Sequence, residues 1–217
     1  MNKKAFIFDL DGVLVHTDRF HYLAWKAVAD ALGVPFDEAA GDRLRGVSRE
    51  ASLEIVLEGY TGAPLSEAEK AALCERANGI CLGHLSAMTP EDVPEDVRET
   101  LRVLRARGCR LAVGSSSKNA KLVLERTGLA DAFDAVSDGT NITRAKPDPE
   151  VFLKAAEFLG AQAADCAVVE DAAAGIDAAK AGGFTAIGIG AAASYGKTDH
   201  AIRALSDLLV LISDPTP

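Results

Sequence analysis

Residues Ala5–Phe8 form a short apolar run with aromatic and β-branched content, stopped by Asp9, Asp11 and Gly12. A continuous apolar run bounded in this way predicts a strand buried on both faces. From about Asp18 to Leu85 the period changes. Phe20, Leu23, Ala24, Ala27, Val28, Ala31 and Leu32 recur at three and four residues, and Gly33 with Pro35 stops that helix. A second helix is expected over 37–44, and a third from the cap Ser48 to about Leu57. A fourth starts at Ser66, with Glu69 at the reciprocal capping-box position. No strand pattern interrupts this stretch.

The proline-bearing connector 89–94 marks a boundary. Beyond it, helices are expected over 95–107, 119–127, 149–159 and 172–181. They alternate with strands over 109–114, 134–137, 166–169 and 185–189. Such alternation means crossover units and a parallel sheet. The isolated first strand is expected to join that sheet. The expected class is α/β: a core of residues 1–15 and 93–217, with an all-helical cap domain, 16–92, inserted after the first strand.

Composition refines this picture. The 217 residues are 48% hydrophobic and 25% charged, as in soluble globular proteins. A net charge of −9 argues against general binding to nucleic acid or an anionic membrane. It leaves room for a small anionic ligand held by local basic residues. Cys74, Cys81, Cys109 and Cys166 form no CxxC pair and no metal-ligand spacing, so reduced, buried thiols are expected. The N-terminal run is too short for a signal peptide, and nothing approaches a membrane span. A cytoplasmic location is expected, and no long apolar seam argues for an obligate oligomer, so a monomer is expected.

Polar clusters follow three of the expected strands directly: Asp9-Leu10-Asp11, then Ser115-Ser116-Ser117-Lys118-Asn119, then Glu170-Asp171. Parallel strands end on one edge of the sheet, where ligands bind. Asp9, Asp11, Ser115, Glu170 and Asp171 should therefore converge, and Lys146, on the loop after the 134–137 strand, can reach the same edge. Any one of these residues alone would be a turn, a helix cap or a solvated loop residue. Four carboxylates in one crevice repel one another unless they hold a cation, and an oxygen-only set favours Mg²⁺ over Zn²⁺. In the Asp-x-Asp pair both side chains point the same way. One carboxylate can attack phosphorus while the other handles the proton of the entering or leaving oxygen.

FDLDGVL, GSSSKN, AKPDPEVF and VEDAAAGIDAAKAGG, in this order, resemble the haloacid dehalogenase-like hydrolase superfamily over nearly the whole chain. The resemblance implies a Rossmann-like core, Mg²⁺ and an aspartyl-phosphate intermediate, with Asp9 as nucleophile and Asp11 as general acid/base. Asp9, the Asp11 carbonyl, Glu170 and Asp171 match the metal site. HTDRFHYLAWKAVADALGV, followed by LRGVSREASL, resembles the β-phosphoglucomutase subgroup within it. In that subgroup a helical cap closes over the core, and a glucose phosphate turns around between two half-reactions.

Matched by position, Thr17 and His21 lie beside the acid/base. Trp25, Gly46, Val47 and Ser52 line the cap side of the sugar pocket. Arg49, Ser117, Lys118 and Asn119 bind the phosphate that is not transferring, and Ser115 and Lys146 bind the one that is. The departures from the subgroup pattern are Arg45 for a lysine, Ala77 for the lysine of an Arg-Lys-Asn run, and His16 for a small polar or acidic residue. The implied partner is a small sugar phosphate. A Mg²⁺-dependent sugar-phosphate phosphatase would use the same Asp9 chemistry. A receiver-like signalling domain would share the convergence of acidic residues, serine and lysine, but it lacks a helical insertion and an Asp-x-Asp after its first strand.

Overall fold

The computed structural model describes residue 1, residues 3–44 and residues 47–212. Gly46 and Arg45 lie outside the described residues. The first strand, β1 (Ala5–Phe8), is followed by four helices: α1 (Asp18–Leu32), α2 (Glu38–Asp42), α3 (Arg49–Leu57) and α4 (Glu67–Ser86). Then come α5 (Glu95–Ala106), β2 (Arg110–Gly114), α6 (Ala120–Arg126), β3 (Ala135–Ser137) and α7 (Glu150–Phe158). The chain continues through β4 (Cys166–Glu170), α8 (Ala173–Ala181), β5 (Thr185–Gly188), β6 (His200–Ala201) and α9 (Leu208–Leu211).

The sheet runs β3-β2-β1-β4-β5-β6, with every pair parallel. The strand that precedes the helical stretch therefore lies inside the sheet, between β2 and β4. Phe8 stands level with Val113 on one side and Val169 on the other. That register brings the ends of three strands, far apart in sequence, to one line.

Successive strand side chains point to opposite faces, which divides the core. Phe6 and Phe8 join Leu104, Leu111 and Val113 in a cluster that continues into Val28, Leu53 and Leu85 of the inserted helices. Ala5 and Ile7 face the other way, onto Phe152 of α7 and Ile176 of α8. The apolar core under the sheet is thus continuous with the core of the insertion. Within the insertion α1 packs chiefly on α4. The capping box expected at Ser66 is formed: Glu69 N–H donates to the Ser66 hydroxyl, and Ser66 N–H donates to the Glu69 carboxylate. Ser48 caps α3 in the expected way.

Two elements have no counterpart in the sequence reading. Strand β6 is two exposed residues at the sheet edge, too short to show alternation, and α9 is a single turn. Helix α2 is shorter than expected because Asp37 acts as its cap and not as its first residue. All four cysteines are buried and unbridged. Among the described residues no helix is long and apolar enough to cross a membrane.

Leu111 is fully buried at the centre of the larger cluster. Leu111→Ala should lower the free energy of unfolding by about 2–5 kcal/mol, since a close-packed sheet cannot collapse into the space left. Urea denaturation followed by circular dichroism would measure the loss, and a change below about 1 kcal/mol would contradict this account of the core.

Candidate active site

Asp9 follows β1 directly, and its backbone N–H donates to the Val169 carbonyl at 2.9 Å, which extends the strand ladder by one residue. Glu170 ends β4 and Asp171 follows it. Among the described residues Asp9, Glu170 and Asp171 form a buried triad, with one carboxylate oxygen from each lying within 4.8 Å of the others. Lys146, from the loop between β3 and α7, enters from the side. Its ammonium donates to Asp9 Oδ1 at 2.6 Å and to Glu170 Oε1, with the Phe152 ring 4.8 Å away. Its side chain is completely buried.

Two glycines make this packing possible. A Cβ on Gly12 would lie 2.2 Å from an Asp171 carboxylate oxygen, and Gly12 also has φ +85°. A Cβ on Gly175, in the first turn of α8, would lie 2.0 Å from Glu170 Oε1. Both carboxylates thus occupy space that a side chain would fill. Glu170 is further fixed by the Ala172 N–H, which donates to its Oε2 at 3.0 Å.

Burial pushes the Asp9 carboxyl well above the usual carboxylate range. Lys146 pulls it down, while Glu170, Asp11 and Asp171 push it up further. Burial opposes the Lys146 charge, but Asp9 and Glu170 together hold its ammonium above its ordinary value. Three carboxylates thus lie close together, two of them on this ammonium. The donor set is all oxygen, so the residues fit a hard divalent cation.

The Asp11 carboxylate is not one of the triad. It accepts a hydrogen bond from the Thr17 hydroxyl, and His21 Nε2 lies 3.9 Å from it. Thr17 occupies the N-cap position of α1 but makes no capping bond. A threonine cap is typically worth about 1 kcal/mol, and here the hydroxyl is given to Asp11 instead. His21 in turn has its Nδ1 3.7 Å from Cys81 Sγ on α4. Partial burial opposes a charge on His21, but the Cys81 thiol and the Asp11 carboxylate outweigh it, and its pKa is pushed up to about 9.

Above these groups lies a cavity of about 650 Å³, bounded by both the sheet edge and the inserted helices. Asp9, Asp11 and Ser115 stand at its core end. His21, Trp25, Val47 and Ser52 line the wall formed by the insertion. Arg49, Ser117, Lys118 and Asn119 also line it. Asn119 Nδ2 and Arg49 NH2 both donate to Asn78 Oδ1 of α4, at 3.2 and 2.7 Å. Most of the sequence-derived residues within the described part therefore line one space, with two refinements. Thr17, Lys146, Glu170 and Asp171 are buried and do not line it; Thr17 contacts Asp11, and Lys146 contacts Asp9 and Glu170. The Ser115 hydroxyl accepts from Ser117 N–H at 3.1 Å, tying the ends of its own loop together.

Sequence reading did not assign Asn78 or Cys81 to the site. Both lie on the α4 face that also buries Cys74, Ala77 and Leu85. Their three- and four-residue spacing signals a packed helix face, and nothing local distinguishes the positions that meet a cavity.

Two outcomes follow from this geometry. Gly175→Ala should displace Glu170 and weaken Mg²⁺ binding by at least about tenfold, with the fold retained, as measured by calorimetry and circular dichroism. Unchanged affinity would separate Glu170 from the metal. The His21 imidazolium is favoured in the folded state, so its stabilisation is full below the ordinary value of 6.5 and fades as pH rises through about 9. Cys81→Ala should lower the His21 midpoint measured by NMR, and an unmoved midpoint would remove Cys81 from its environment.

Residues 3–183 match the family model of the haloacid dehalogenase-like hydrolases. The chain is 41% identical to the β-phosphoglucomutase of Bacillus subtilis over 206 residues, covering 94% of this chain and 91% of that one. It is 30% identical to a phosphorylated carbohydrates phosphatase of Thermotoga maritima, covering 85% and 83% of the two chains. The crystal structure of a β-phosphoglucomutase from Clostridium difficile superposes with a TM-score of 0.89 at 33% identity, covering 96% of this chain and 93% of that one. With the acidic triad, the buried lysine and the sheet order already in place, these matches identify the chain as a member of the haloacid dehalogenase-like hydrolase family.

Proposed function

We propose that this protein is a Mg²⁺-dependent β-phosphoglucomutase, interconverting β-D-glucose 1-phosphate and glucose 6-phosphate through an aspartyl-phosphate enzyme and a glucose 1,6-bisphosphate intermediate. The observation that carries this reading is a second set of cations on the cavity. Arg49 and Lys118 line it, from α3 and the loop after β2, and they are distinct from the Lys146 that contacts Asp9 behind the wall. A phosphatase needs one phosphate site, whereas a mutase holds two phosphates at once.

In this reading residues 16–92 are a cap domain on a core of 1–15 and 93–217, in a cytoplasmic monomer. Asp9 attacks phosphorus, and the sugar oxygen leaves with a proton from Asp11. The Thr17 hydroxyl and His21 hold the Asp11 carboxyl toward the cavity. Lys146 fixes the attacking carboxylate and offsets its charge. A Mg²⁺ ion held by Asp9, Glu170, Asp171 and the Asp11 carbonyl would offset charge on the transferring phosphoryl group. Ser115 donates to that same group.

Arg49, Ser117, Lys118 and Asn119 grip the second phosphate, with the guanidinium suited to bidentate contact. Trp25, Val47, Ser52 and Gly46 enclose the sugar. In the half-reaction that forms the bisphosphate, Asp11 takes the proton of the sugar monophosphate's hydroxyl as that oxygen attacks the aspartyl phosphate and releases the Asp9 carboxylate. The bisphosphate then turns round and presents its other phosphate to Asp9, whose attack releases the product with a proton from Asp11. Excluding water from the cavity protects the aspartyl phosphate from hydrolysis.

The alternative is a sugar-phosphate phosphatase with the same Asp9 chemistry, supported by the similarity to the T. maritima phosphatase. Incubation with β-glucose 1-phosphate, Mg²⁺ and a trace of β-glucose 1,6-bisphosphate should yield glucose 6-phosphate. Release of inorganic phosphate without glucose 6-phosphate would replace the mutase reading with the phosphatase one. Asp9→Asn should reduce turnover by at least about four orders of magnitude in either case, with an unchanged circular-dichroism spectrum.

A further inference from the structure

Both of these cavity-lining cations already have carboxylate partners. Arg49 NH1 is 2.9 Å from Glu75 Oε1, and Lys118 Nζ is 3.7 Å from Glu50 Oε1. The Arg49 side chain is mostly shielded, at 19% exposure, whereas Glu75 is 71% exposed and Glu50 67% exposed. Arg49 is thus held inward while Glu75 reaches it from solvent, and the Lys118–Glu50 pair is exposed on both sides, Lys118 at 52%. Arg49 has a second, neutral anchor in Asn78 Oδ1, which also receives Asn119 Nδ2. Loss of Glu75 would therefore leave the guanidinium in position.

We propose that Glu75 and Glu50 are resident counter-ions of the distal phosphate site, displaced by the incoming phosphate, and that they set its affinity and hence how strongly the protein takes up a doubly phosphorylated sugar. The inference rests on the assignment of Arg49 and Lys118 to that site in the proposed function. Its basis is charge balance. Two cations are matched by two carboxylates before binding and by one dianionic phosphate after it. A phosphate that arrives while the carboxylates stay would meet a site with no net positive charge. Each exposed carboxylate can swing back into water at little cost, because exposed ion pairs are weak. The Glu50–Lys118 pair also spans the insertion and the core, so its release frees one link between them.

The test is a set of variants assayed for the concentration of β-glucose 1,6-bisphosphate that half-saturates glucose 6-phosphate formation. Glu75→Gln and Glu50→Gln should each lower that concentration by about two- to fivefold. Their effect on the KM for p-nitrophenyl phosphate, which carries no second anion, should be smaller. Arg49→Ala should raise half-saturation by about tenfold or more, and Glu75→Gln should have no effect in the Arg49→Ala background. If Arg49→Ala weakens the bisphosphate but the glutamine variants leave it unchanged or weaken it too, the counter-ion role is overturned and the distal site stands. If Arg49→Ala leaves the bisphosphate unaffected, the distal assignment itself fails, and the counter-ion role fails with it.

Discussion

The buried ammonium of Lys146 is the contact on which the rest of the site depends. It contacts two members of the acidic triad, Asp9 and Glu170. A buried charge without a partner is costly, and breaking a buried pair typically costs about 3–5 kcal/mol. Lys146 therefore fixes two carboxylates at once, and they fix it. The Phe152 ring closes the remaining side and links the pair to the core beneath the sheet. A divalent cation is the kind of charged species that such a close set of carboxylate oxygens can hold.

Topology explains how this cluster forms from residues so far apart in the chain. With β1 between β2 and β4, Asp9, Ser115 and Glu170 emerge side by side from three neighbouring strands. The parallel ladder sets their heights, and Gly12 and Gly175 leave room for the acidic side chains to close in. Precision here comes from the backbone of rigid elements. By contrast, the groups around Asp11 are set by helices of the insertion. Thr17, His21 and, through His21, Cys81 all bear on the same carboxylate. The two acids of the Asp-x-Asp pair thus answer to different parts of the molecule, although one residue separates them.

Much of this was legible in the sequence, and the reasons are physical. The apolar run at Ala5–Phe8 had no polar position, which placed β1 inside a sheet covered on both faces. Acidic and hydroxyl residues directly after strands then had to share an edge. Helices with a capping signal, such as the one opened by Ser66 and Glu69, had their starts placed to within a residue. What stayed hidden depended on distant packing. The edge strand β6 has no pattern of its own. Asn78 and Cys81 look like core positions because the α4 face that holds them is mostly core. Thr17 was expected beside Asp11 through the resemblance alone, and the fold supplies the contact itself, a hydroxyl turned to the Asp11 carboxylate in place of a capping bond. Likewise Glu50 and Glu75 are unremarkable helix-surface acids until α3, α4 and the loop after β2 are brought together.

The placement of α1 to α4 directly after the first strand has an evolutionary consequence. The acidic triad and its lysine belong to the sheet edge and the loops around it, while the far wall of the cavity belongs largely to a contiguous stretch of chain. Substitutions along that stretch can reshape what the cavity admits without moving a strand end. A change of residue in that stretch and a change at a strand end are therefore separable events in the gene, although Thr17 and His21, which bear on Asp11, belong to the first.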